Sequence, residues 1–131
     1  MSIYEALIAQ LQTVPGLPRQ QLTNQPLIQP KANEQWVRPT LLRAESTTGA
    51  IGRDGYLIEQ GTLQIDLFTP KGSGDASALL ADIRAAFNER GSSLSVDGRQ
   101  LRITKAWIGN AIEDGAWFKT SVYVRWERNE R

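Results

Sequence analysis

The chain has 131 residues, enough for one compact domain with a modest core and too few for a second of ordinary size. Its 15 basic and 14 acidic residues leave a formal charge of +1, which gives no electrostatic basis for tight nucleic-acid or membrane-surface binding. Cysteine and histidine are both absent, which excludes disulfides, zinc–thiolate sites, thiol catalysis and the commonest general base. No apolar run approaches the ~20 residues that cross a bilayer. The N-terminus lacks the basic-then-apolar layout of a signal peptide, so the chain is expected to stay inside the cell that makes it.

Residues 1–14 open with a capping-box pattern, Ser2 followed three residues later by Glu5. Tyr4, Leu7, Ile8, Leu11 and Val14 recur at helical spacing, and Pro15-Gly16 ends the helix. Residues 17–30 are rich in Gln, Pro and Asn and have little periodicity. They read as an extended arm with at most one short edge strand near residues 25–29, and such an arm is either functional or a disordered loop. A strand is predicted over 36–45, with Pro39 placing it at an edge or a bulge. The glycine-rich stretch 46–55 is a loop, suited to subunit contact or a mobile tip.

The organising stretch runs from Tyr56 to Gly91. Leu63, Ile65 and Leu67 alternate with Gln64 and Asp66, the period of a half-buried strand. Gly61 implies a bulge or a close backbone approach. Thr69-Pro70 stops the strand and residues 71–74 turn the chain. Asp75 is placed to cap a helix whose apolar side is Ala76, Leu79, Leu80, Ile83 and Phe87, and Gly91 suits the position just past its end. Strands at 94–96 and 101–107 flank Asp97-Gly98, a strong hairpin signal. Residues 110–115 read as a second connection before a last strand over 116–127.

The expected fold is therefore α+β in the order α-β-β-α-β-β. A largely antiparallel, four- to five-stranded sheet carries both helices on one face, in one domain spanning 1–131. Phe118, Thr120, Val122, Val124 and Trp126 share one face of the last strand. The opposite sheet face would carry Gln64, Asp66, Trp117, Tyr123 and Arg125, more aromatic than solvent requires. Trp126 reads as core, while Trp36, Trp107 and Trp117 suit core or interface. The candidate subunit or partner interface comprises Thr47, Ile51, Arg53, Tyr56, Trp117 and Tyr123.

No catalytic constellation emerges. Lysine-assisted serine chemistry lacks a motif around Ser73 or Ser77, and Asp66, Asp75, Asp82, Glu113 and Asp114 have no pairing in an apolar cleft. Gly72-Ser73-Gly74 before a helix outlines a phosphate cradle, but the Walker and dinucleotide patterns are missing and Asp75 would repel a phosphate. Neither a metal nor a cofactor is expected, and the chain reads as a non-enzyme.

QLTNQPLIQPKANEQWVRPTLL, the central GTLQIDLFTPKGSG, the helix ASALLADIRAAFNERG and the closing AWFKTSVYVRW together resemble the tail terminator family of long-tailed, non-contractile phages and their prophages. The likeness covers nearly the whole chain. It implies a structural virion protein, made in the host cytoplasm, whose ring, typically a hexamer, caps the tail tube and presents the head-joining surface. The implied partners are further copies of the chain, the tail tube protein and a head-completion protein, with DNA passing through the lumen and no membrane. The 46–55 loop and the 17–30 arm are the expected neighbour contacts. The alternatives are another head–tail connector, a regulatory or nucleic-acid-binding module and, least supported, a small hydrolase.

Overall fold

The computed structural model describes residues 2–23, 25–31, 34–43, 57–72, 76–88, 93–96 and 98–130. Helix α1 (Ile3–Leu11) begins at Ser2, whose Oγ accepts the Glu5 N–H at 3.1 Å. The helix stops one turn earlier than its apolar pattern. Thr13 and Val14 donate to Gln10 and Leu11 in a tightened turn, and Val14 is still buried.

The remaining elements are β1 (Arg19–Gln20), β2 (Trp36–Arg43), β3 (Leu57–Pro70), α2 (Ser77–Asn88), β4 (Ser93–Val96), β5 (Arg99–Asp114) and β6 (Trp117–Glu130). The class is α+β as expected, but the sheet has six strands among the described residues, ordered β1-β2-β3-β6-β5-β4. All pairs are antiparallel except β1 with β2.

Two expectations are corrected and one is resolved. The short arm strand lies at Arg19–Gln20, not at 25–29. Pro26 and Pro30 cannot donate to a ladder. The Gln21 side chain takes up that segment instead, accepting from Ile28 N and donating to the Gln25 and Pro26 carbonyls. Residues 110–114 are strand rather than connection, since β6 pairs with β5 as far as Asp114↔Trp117, leaving only Gly115-Ala116 to turn. Of the two readings of Gly61, the close approach holds and the bulge does not: its register with both β2 and β6 is continuous, and a Cβ there would fall 2.5 Å from Trp126 Cζ2.

Pro39 sits where its missing N–H costs nothing. Val37 O accepts from Gln21 N on the β1 side, and positions 37, 39 and 41 alternate onto that same side. β1 reaches only Val37, so Pro39 faces an edge beyond it. The β4–β5 hairpin forms as predicted, with Val96 opposite Arg99 and Gly98 at φ 77°. Asp75, Gly91, Asp97 and the 46–55 loop lie outside the described residues.

Both helices pack on one face. Leu7, Leu11, Ile83 and Phe87 join Val37, Leu63, Ile65, Leu67, Val122, Val124 and Trp126 in one core cluster. The Gln10 side-chain amide ties α1 to the Ala86 carbonyl of α2 at 2.7 Å. At the sheet edge β4 ends opposite Arg102, and Asn88 takes over part of its role. The Asn88 amide accepts from Ala106 N at 3.0 Å and donates to Ala106 O at 3.1 Å, as a neighbouring strand would.

Candidate functional site

The sheet face opposite the helices carries the side chains with most to offer a partner. Alternation along β2, β3 and β6 places Trp36, Arg38, Gln64, Asp66, Phe68, Trp117, Lys119, Ser121, Tyr123 and Arg125 there, and β5 adds Lys105 and Trp107. This is the face expected from the sequence for Gln64, Asp66, Trp117, Tyr123 and Arg125.

Its centre is a buried carboxylate. Asp66, 2% exposed, accepts from Ser121 Oγ at 2.6 Å, Gln64 Nε2 at 2.9 Å and an Arg38 guanidinium nitrogen at 3.1 Å. All three donors come from neighbouring strands or the same strand two residues away. The charge is thus fully engaged in holding β2, β3 and β6 together and is not presented for chemistry.

Two aromatic clusters flank it. At one end Trp36 stacks on Phe68 (centroids 3.9 Å apart, 5° between planes), and Trp117 meets Trp36 edge-on at 6.1 Å. The Trp117 Nε1–H donates to the Glu34 carbonyl at 3.3 Å. Glu34 also pairs with Arg19, whose guanidinium holds the Glu34 carboxyl below the usual carboxylate range. The arm is thereby fastened to the sheet. At the other end Trp107 stacks on Tyr123 (5.3 Å, 25°), with Lys105 Nζ 5.0 Å and the Arg125 guanidinium 5.9 Å from the Trp107 ring centre.

The structure therefore places Trp117 and Tyr123 on one face but in separate clusters. Thr47, Ile51, Arg53 and Tyr56, the other sequence-derived interface residues, lie outside the described residues. The sequence reading did not single out Lys105 and left Trp107 open between core and interface. The missing signal was their register opposite Arg125 and Tyr123, which needs the β5–β6 pairing. Among the described residues no group of three potential metal ligands occurs, and no helix is long and apolar enough to cross a membrane.

A groove of about 420 Å³ opens on the helix side beyond the start of α2, lined in part by Thr69, Leu80, Ile108, Phe118 and Thr120. None of the described residues that line it carries a titratable side chain.

The family model described as phage tail terminator protein matches residues 2–126. The chain belongs to the phage tail terminator family. This tail terminator relative is thus a phage tail structural protein, and its family is not an enzyme family. One solved structure, of a protein without a functional name, is 19% identical over 99% of this chain and 98% of its own, with a TM-score of 0.66. At that identity the likeness shows a shared fold alone. No curated protein matches the terminator chain. The family's place in the tail agrees with a surface made of aromatics and ion pairs rather than a cleft.

Proposed function

We propose that the whole chain acts as one terminator domain that assembles into a ring, typically of six copies, on the end of the phage tail tube. The ring ends tube elongation and presents the surface on which the head-completion protein docks, while DNA passes through its centre. The protein works in the virion tail after assembly in the host cytoplasm. The observation that carries this reading is the family match across 2–126. An open sheet face bearing Trp36, Trp107, Trp117 and Tyr123 supports it, because aromatics are enriched at the centres of protein interfaces. A closed ring joins two different patches on successive subunits.

Light scattering over a concentration series, with electron microscopy of the most concentrated sample, tests the ring. Closed rings with an open centre are expected, either alone or on added tail tubes. A chain that neither closes rings nor binds tube ends nor changes tube length overturns the proposal.

A further inference from the structure

Lys105 and Arg125 stand directly opposite one another across β5 and β6. Like charges in that position repel and weaken a sheet. Neither side chain forms an ion pair with a carboxylate among the described residues. Both instead lean toward the same ring, Trp107, which stacks on Tyr123. Gly109 keeps that stack in place, since a Cβ there would fall 2.9 Å from Tyr123 Cε2. Register shifts on both sides, between Ile103 and Lys105 and between Ile108 and Ala111, set this segment off from the regular ladder. The result is a platform of two exposed cations, neither paired with a carboxylate among the described residues, beside a half-buried aromatic pair.

The same strand ends in the opposite character. Ile112 is 59% exposed, and Glu113 and Asp114 are exposed beside the Gly115-Ala116 turn. Among the described residues Lys71 Nζ pairs with Glu113 at 3.7 Å, and both side chains are exposed. Glu113 lies six positions beyond Trp107 on the strand, about 20 Å, so tip and platform cannot meet within one subunit. They match between subunits: acid against base, and an exposed isoleucine against an aromatic pair.

We infer that the Lys105–Trp107–Tyr123–Arg125 platform receives the acidic Ile112–Asp114 tip of a second copy of this chain. The inference rests on the ring-forming reading and names the two unlike patches that a head-to-tail contact requires. Duplex DNA fits less well. The acidic tip on the same strand opposes a phosphate backbone.

Two charge-reversed variants test this, Lys105→Glu with Arg125→Glu and Glu113→Lys with Asp114→Lys. Each alone is expected to weaken ring formation at least tenfold by sedimentation velocity. An equimolar mixture should restore closed rings, because each variant's tip then suits the other's platform. The single change Lys105→Glu should also leave the Tm of the monomer unchanged or raise it, since a repulsive pair is replaced by an attractive one. Wild-type rings that persist in both variants, or variants that remain apart when mixed, overturn this contact alone. Loss of duplex-DNA binding in the platform variant with rings intact also overturns it and makes the platform a DNA contact. A wild-type chain that is monomeric at every concentration and on tube ends overturns the ring reading, and this contact with it.

Discussion

Gly61 lies directly against the indole of its cross-strand partner Trp126, so that a Cβ on Gly61 would fall 2.5 Å from Trp126 Cζ2 and 2.7 Å from the Leu42 carbonyl oxygen. Trp126 is fully buried and Leu42 O is backbone, so neither can yield cheaply. Gly61→Ala should therefore destabilise the protein by about 1–3 kcal/mol through overpacking. Denaturant unfolding checks it, and a midpoint equal to wild type would show that the indole has room to move.

The Asp66 network makes a second prediction. Asp66→Ala strips the partner from Ser121 and Gln64 inside the sheet and should cost about 2–3 kcal/mol. The loss stays below that of a fully buried ion pair because Arg38 is 43% exposed and can turn to solvent. Ser121→Ala removes one donor and should cost about 1 kcal/mol. Thermal unfolding of both variants should preserve this order.

Asn88 provides a test at the sheet edge. Asn88→Ala leaves the Ala106 N–H and C=O without their side-chain partner and should cost about 1–2 kcal/mol. The local readout is amide hydrogen exchange at Ala106, which should lose protection before its neighbours in β5. Asn88→Asp keeps an acceptor for the N–H but sets a carboxylate oxygen against the carbonyl, so it should rescue only part of that protection.

The Arg19–Glu34 pair makes the fastening of the arm pH-dependent. The Arg19 hydrogen bond is the main reason that the Glu34 carboxyl titrates below 4.5. A depressed folded-state value means that the contribution is complete above the ordinary carboxylate value and is lost as pH falls through the lowered one. NMR titration of Glu34 should show the depression, and Arg19→Ala should return the carboxyl toward 4.5. An unchanged titration in the variant would assign the shift to the Lys31 contacts instead.

Much of the fold was legible along the chain. Ser2 announces the first helix. The Leu63–Ile65–Leu67 alternation announces the central strand and its buried face, and Asp97-Gly98 announces the β4–β5 turn. These signals are local: a cap, a period of two and a turn each depend on residues adjacent in sequence. Trp126 likewise shows itself as core by sharing parity with Val122 and Val124, and the absence of histidine and cysteine is a property of the composition itself.

The tertiary structure alone decided the rest. Residues 110–114, Asn-Ala-Ile-Glu-Asp, have little strand character of their own and extend β5 because β6 supplies ladder partners as far as Trp117. Arg19–Gln20 becomes a strand only because β2 lies alongside it. The candidate site was half legible. The aromatic character of the open face follows from parity within β6, but the Trp107–Tyr123 stack and the Lys105–Arg125 apposition depend on registers interrupted twice by bulges. Hydrophobic periodicity specifies which way a side chain points. Which residue of another strand it meets is set by pairing over long sequence separation, and that is a property of the folded sheet.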